Sequence, residues 1–455
     1  MNEVYFYIYI IVTFLIAIYL ILKNNPAHKF ITFITAYWLL AGSVLNTEYF
    51  IIDIKGLPFD LQPPRIIFIL FTIYLILVWV GKIKNIRVNT QEPKFERYLY
   101  IYVLLSIIVN VIHTIDLLTI KDIILNSTEI LTFLVIYLVL KRTADSEMIN
   151  VLGKALLIVC IFSSIIGIYQ FLVNPLFFRL GSERVAFAGL LRSNGIFHAE
   201  YMQSYFLIPG IILTLFTVRR KLLKYGLIGL FLFGIIFTFH RMSWIITILL
   251  FTLYFIEVKK RKAWQMVAVG GIVVAIILLF YSNFSLNISE IKSSSFVQER
   301  LFADTVTGRI ALYKGALKEI PEHWLLGVGG IHSDPFYWTI LSAGGSEKVA
   351  LGETGGAIHN EYILIGFLYG LPVLFFFCGF LILSLIYFFR KSKGKSKFFF
   401  IPTLFIVMFM AANISNMFSL SCDIGLLLAI YLGIGVAVYQ KNIDVSRLVN
   451  ERIYR

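Results

Sequence analysis

The residues best suited to chemistry in this sequence are three arginines and a histidine: Arg192, Arg241, Arg309 and His359. A guanidinium meets phosphate oxygens with a planar fork and stays charged when partly desolvated. An imidazole titrates close to operating pH. His359 sits in the run Gly356-Ala357-Ile358-His359-Asn360-Glu361-Tyr362, where a long polar interval (282–359) gives way to a new apolar helix. A helix starting there presents free N–H groups and a positive dipole end, which suits an anionic ligand. The same dipole disfavours protonated His359 and so favours its neutral, base-competent form. Charge stabilisation for a departing phosphate and a base for an attacking hydroxyl are the two needs of transfer from a phosphorylated donor. The expected substrate is lipid-linked and phosphorylated, met at a membrane surface.

Each of these residues also has a plainer reading. Arg241 could be an anchor at the end of a span, although its flanks are apolar and it falls on the side where a basic residue is least expected. Arg192 shares a loop with Arg179, Glu183 and Arg184, so an ordinary ion pair competes with a ligand role. Arg309 opens a helix, a poor place for a cation unless an anion is near. His359 could be held by hydrogen bonds alone. Asn360 reads first as the cap of the following helix, whereas Glu353 and Glu361 could orient His359 or bind sugar hydroxyls. His323, His332 and Asp334 show no compelling metal-ligand spacing, so the expected site is metal-free.

The elements that must position these side chains are apolar. The chain has 455 residues, of which 59% are hydrophobic and only 15% charged, with mean hydropathy +0.84. A soluble domain of that composition would have a mostly apolar surface, so the fold class expected is an all-α polytopic membrane protein. The net charge of +14 raises nucleic acid as a partner, and its distribution argues against that. Basic residues gather in short loops, such as Lys82/Lys84/Arg87, Arg219/Arg220/Lys221, Lys259/Lys260/Arg261/Lys262 and Arg390/Lys391/Lys393. The interval 282–359 instead carries six Lys/Arg against eight Asp/Glu. This is the positive-inside pattern of membrane topology rather than a nucleic-acid footprint. Cys160, Cys378 and Cys422 fall in or beside separate apolar segments and read as small core residues.

Runs long enough to cross about 30 Å of hydrocarbon occur near 4–22, 30–51, 66–80, 98–119, 123–140, 151–173, 201–218, 222–239, 242–258, 264–281, 361–389, 398–414 and 420–439. About 12–13 transmembrane helices are therefore expected. The basic loops all follow odd-numbered spans, which puts the N-terminus and the interval 282–360 outside the cytoplasm. The expected organisation is an N-terminal transmembrane bundle (1–281), an extracytoplasmic catalytic loop (282–360), C-terminal transmembrane helices (361–440) and a cytoplasmic tail (441–455). Within the loop, Tyr313, Ala316, Leu317 and Ile320 recur at helical spacing, an amphipathic helix ended by Pro321. Gly370-Leu371-Pro372 should break the segment 361–389 into a short lining helix and a crossing helix.

The ordered pieces Arg309…Tyr313, Leu326-Gly327-Val328-Gly329, His359-Asn360-Glu361-Tyr362 and Gly370-Leu371-Pro372 resemble the O-antigen ligase and polymerase superfamily. Arg192-Ser193-Asn194-Gly195-Ile196-Phe197 and Thr238-Phe239-His240-Arg241 are similar to two further pieces of that family, with His240 where the family usually has Ser. The resemblance implies glycosyl transfer from an undecaprenyl-diphosphate-linked oligosaccharide, on the outer face of the bacterial cytoplasmic (inner) membrane, without nucleotide sugar, cofactor or metal. It implies His359, Arg309 and Arg241 as catalytic residues. It implies Arg192, Asn360, Glu361, Tyr313, Gly327 and Gly329 as substrate-binding, and Glu353, in the interval before His359, is expected to join them. Membrane lipids, and polysaccharide export and chain-length proteins, are the other expected partners. A polymerase of repeat units is preferred over a ligase acting on a lipid A-core, and an enzyme over a transporter, because paired repeats and buried charge pairs do not show in the spans.

Overall fold

The structure, a computed structural model, describes residues 2–45, 63–80, 92–114, 120–180, 185–187, 190–258, 313–329, 358–394, 396–420 and 422–445. Arg309, Glu353 and the apolar run 264–281 lie outside the described residues. Apolar segments at membrane depth must satisfy their own backbone groups, and a helix does this within one segment. The described chain is accordingly helical: α1 (Asn2–Asn24), α2 (Lys29–Leu45), α3 (Pro63–Trp79), α4 (Lys94–Thr114), α5 (Ile120–Thr143) and α6 (Ser146–Leu172). After a two-stranded antiparallel hairpin, β1 (Val185–Phe187) and β2 (Leu190–Leu191), come α7 (Glu200–Thr217), α8 (Lys221–Ile236) and α9 (Arg241–Glu257). The last part holds α10 (Glu361–Tyr369), α11 (Leu371–Gly394), α12 (Phe400–Ala412) and α13 (Asp423–Gln440).

Among the described residues, five helices are long and apolar enough to cross a membrane: α1, α4, α6, α11 and α13. The protein is a multi-pass helical membrane protein. Helices also stand at the other expected apolar runs that fall on described residues, and α2, α3 and α12 are shorter apolar helices. The hairpin is a small departure from an all-helical chain.

α13 lies deepest, buried along nearly its whole length and packed on α5, α12 and α7. α11 lies along α4, with Phe95 of α4 against Phe380 and Phe388 of α11. α1 presents Tyr7, Ile8, Ile11, Leu15 and Leu22 outward, the face expected toward lipid, where apolar exposure costs nothing.

The bundle has two chemically distinct ends. At one, the Asp145 carboxylate caps α6 through Met148 N (2.7 Å) and also takes Ala27 N–H (2.8 Å). There Lys441 Nζ donates to the carbonyls of Arg142 and Ala144, closing the C-terminal end of α5 as a cation should. Lys141 pairs with buried Glu96 at 2.6 Å. These residues adjoin the basic connections. The opposite end gathers the end of α4, the start of α7, the α8–α9 and α12–α13 turns, and α10.

The break at Gly370 falls where expected. Gly370 has φ +87°, and a Cβ there would lie 2.6 Å from the Leu325 carbonyl oxygen. α10, at nine residues, spans only about 13.5 Å and cannot cross. α11, at 24 residues, reaches about 36 Å.

Candidate functional site at the polar end of the bundle

His359 stands just before α10 and is half-buried. Its carbonyl accepts from the Tyr313 hydroxyl at 2.7 Å. Asn360 is the N-cap: its side-chain oxygen accepts from Ile363 N at 3.0 Å, and its amide donates to the Ile414 carbonyl at 3.0 Å. The plainer reading of Asn360 therefore holds, with both ends of its side chain engaged by protein. Glu361 N–H donates to the carbonyls of Asn413 (3.0 Å) and Asn416 (3.1 Å). The Tyr362 hydroxyl donates to Met410 O at 2.9 Å. The turn that carries His359 is thus bonded to the turn between α12 and α13.

Glu361 itself is 3% exposed, and its Oε2 has no hydrogen-bond partner among the described residues. Burial pushes its carboxyl up to about 8, so it is largely a neutral acid at neutral pH.

Helical turns at 313–319 run into a loop ending at Gly329. Ala316 and Ile320 bury against Ile358 and Phe367, with Tyr313, Val328 and Leu364 packed around them. The amphipathic segment therefore lies on the bundle, but Leu317, expected on its apolar face, faces out beside Lys318. Val328 N and Gly329 N donate to the carbonyls of Phe367 and Leu368, both at 2.9 Å. Gly327, at φ +63°, approaches so closely that a Cβ would come within 2.4 Å of the Leu368 backbone. Gly329 lies against His113, whose Nε2 donates to Leu326 O at 3.1 Å. Gly327 and Gly329 thus join this loop to the end of α10, an anchoring position rather than a pliable one.

Arg192 and Glu200 pair at 3.0 Å, and Arg192 O accepts from Arg179 Nη2 at 2.7 Å. The ion-pair partner of Arg192 is Glu200, at the start of α7, rather than a residue of its own loop. Behind it, Ser193–Phe197 is buried and clamped by two glutamines. Gln170 Oε1 accepts from Asn194 N and Gly195 N, and its amide donates to Gly195 O. Gln203 accepts from Ser193 Oγ and donates to Ser163 O. Ser193 N donates to Phe237 O at 3.0 Å, which ties the Arg192 loop to the end of α8.

Arg241 is the first residue of α9. The turn before it is strained: Phe239 has φ +53°, a left-handed geometry that costs a bulky residue about 1–3 kcal/mol. Phe171 holds that turn, stacked on Phe237 at 4.4 Å and tilted against Phe239 at 5.6 Å. The His240 ring packs on Tyr205 (5.3 Å) and Tyr201 (6.3 Å) of α7, and both tyrosines pack on Phe418. Asn416 donates to the Tyr205 hydroxyl at 3.1 Å.

Arg192, the His240-Arg241 turn, His359 with Asn360 and Glu361, and Tyr313 therefore share one end of the bundle, opposite the basic connections. Tyr201, Tyr205, Gln170, Gln203, Asn413 and Asn416 had no signal in the sequence, because single polar residues in apolar runs form no spacing pattern. Among the described residues, Glu319, Glu322 and His323 offer ligand atoms within 4.8 Å of one another. They are largely exposed, and acidic groups meet that way without an ion, so they carry no metal assignment.

These features define a multi-pass helical membrane protein with a polar, arginine- and histidine-bearing site at one end. Residues 226–378 match the family described as O-antigen ligase. That match supports the O-antigen polymerase and ligase superfamily for this chain, the family its motifs resemble. The matched stretch contains Arg241, Tyr313, Gly327, Gly329, His359, Asn360 and Glu361, and leaves Arg192 outside it. No match was found among curated proteins.

Proposed function

We propose that the protein polymerises undecaprenyl-diphosphate-linked oligosaccharide repeat units, as in O-antigen, capsule or exopolysaccharide synthesis, by metal-independent glycosyl transfer on the outer face of the cytoplasmic membrane. The observation that carries this reading is the convergence of Arg192, Arg241 and His359 on the end of the bundle opposite the basic loops. His359 takes the proton of the acceptor hydroxyl as that oxygen attacks the anomeric carbon. The bond to the diphosphate breaks, and the arginines stabilise the negative charge that develops on the leaving group. Arg309, from its motif, and Glu353, from its place in the interval before His359, are assigned to the same centre. The 282–360 interval is the catalytic loop; 1–281 and 361–440 are the bundle that holds it; the tail 441–455 is cytoplasmic.

The second reading is a ligase that hands the glycan to a lipid A-core acceptor, and the description of the matched family favours it. An Ile/Phe/Lys/Asn-rich composition, in keeping with a bacterial background in which lipid A need not exist, supports the polymerase. Purified protein given only lipid-linked repeat units should yield a ladder of lengths. Product that appears only with a lipid A-core acceptor, one transfer per acceptor, assigns the ligase instead. Absence of transfer with either acceptor, with the lipid-linked sugar moved across a bilayer, assigns a transporter.

A further inference from the structure

The two halves of the candidate site sit on elements far apart in sequence, and one short turn joins them. The turn between α12 and α13 touches the His359 side through three carbonyls: Asn413 O and Asn416 O accept from Glu361 N, and Ile414 O accepts from the Asn360 amide. It touches the Arg241 side through Asn416, whose amide donates to the Tyr205 hydroxyl at 3.1 Å. The Tyr205 ring in turn lies edge-on to His240, 5.3 Å between centroids, one residue before Arg241. The turn is built to hold its shape. Asn413 is fully buried and closes a ring with Phe418, donating to its carbonyl (3.1 Å) and accepting from its N–H (2.9 Å). Asn416 is 8% exposed and also bonds Ala412 O at 3.0 Å.

These contacts form one continuous path from the start of α9 to the start of α10. Tyr205 is fully buried and Asn416 nearly so, so neither side chain is placed to meet a substrate. A polar path of this kind inside a bundle has a structural cost that simple packing would avoid, because each buried amide must find its partners. We propose that Asn416 and Tyr205 are positioning residues that set the Arg241-bearing turn against the His359-bearing turn in the geometry needed for transfer. This rests on the glycosyl-transfer reading above.

The test is a double-mutant cycle on the full-length protein in detergent, with lipid-linked repeat units as substrate. Asn416→Ala removes the donor; Tyr205→Phe removes the accepting hydroxyl and keeps the ring against His240. Each single change should lower kcat by roughly 10-fold or more, the scale of small misplacements of reacting groups. KM for the donor should stay within about two-fold, since phosphate and sugar contacts remain. The double variant should be no slower than the slower single, because both changes cut the same link. Unchanged kcat in Tyr205→Phe, or independent effects that multiply in the double variant, would overturn the proposal. If Asn416→Ala does not insert stably, Tyr205→Phe with Tyr205→Leu decides, the former mild in melting but slow in turnover. His359→Ala runs beside them as reference. Full activity there would fail the functional reading itself, whereas an inactive His359→Ala with wild-type Tyr205→Phe would fail the bridge alone.

Discussion

The backbone of His359 is supported from two sides, by the Tyr313 hydroxyl on its carbonyl and by the Asn360 cap that follows. His359 lies in the turn before α10 rather than in the packed core, and is half-buried. His359→Ala should therefore insert and melt as the parent does while transfer is lost; activity within a few-fold of the parent would remove His359 as base. Arg241 opens α9 behind a strained turn, and its proposed work needs the bidentate fork. Arg241→Lys keeps the charge and loses charge-assisted hydrogen bonds worth roughly 1.5–3 kcal/mol each, so the rate should fall by about 10- to 100-fold. A fully active lysine variant would show that the fork grips nothing. Glu361 supplies a pH dependence. Its folded carboxyl titrates near 8, above its ordinary 4.5, because burial favours the neutral form. The stability it contributes is complete below about 4.5 and is lost as pH rises toward 8. The melting midpoint in detergent should fall over that window, and Glu361→Gln, neutral at every pH, should flatten that part of the curve. An identical fall in the variant would place the dependence elsewhere.

At the scale of elements, the sequence was most readable where a local rule acts alone. The Gly370 break, the Asn360 cap and the apolar face of 313–320 each follow from propensity or spacing within a few residues. The roles of Gly327 and Gly329 were not readable in that way. Their motif implied substrate binding, and the structure bonds their loop to the carbonyl end of α10. What decides between the two is a contact about 40 residues away, which no window reports. The same limit hid the Gln170 and Gln203 clamp and the Asn413–Asn416 turn. Gly327→Ala checks the anchoring role: its φ of +63° and a Cβ 2.4 Å from Leu368 backbone should cost about 1–3 kcal/mol. The expected result is a lower melting midpoint with faster proteolysis near 326–329. Gly226→Ala on α8 is the control, since nothing lies within 4 Å of a Cβ there. That change should leave stability unchanged or raise it by roughly 0.5–1 kcal/mol. Equal melting of the two variants would deny the close approach its structural role.

For the whole molecule, orientation decides whether the chemistry is possible at all. Polyprenyl-diphosphate donors presented on the outer leaflet can be used only if the Arg/His end faces outward, where nucleotide sugars are scarce. Charge alone points to that arrangement, because Lys141, Lys391, Lys393 and Lys441, with the Arg219–Lys221 connection between α7 and α8, share the end opposite His359. This pattern was readable from composition, since the positive-inside bias acts on loop charge without reference to packing. The folded bundle adds that the described candidate site residues collect at one end. Single cysteines placed after replacement of Cys160, Cys378 and Cys422 test the orientation directly. A membrane-impermeant thiol reagent applied outside intact cells should label positions 290, 324 and 345, and should spare 222 and 393 until the membrane is opened. Leu222 and Trp324 are both well exposed, at 90% and 52%, so failure to label at either reports the side of the membrane and not burial. Labelling of 222 and 393 from outside, with 324 protected, would turn the site toward the cytoplasm and remove the outer-leaflet donor from consideration.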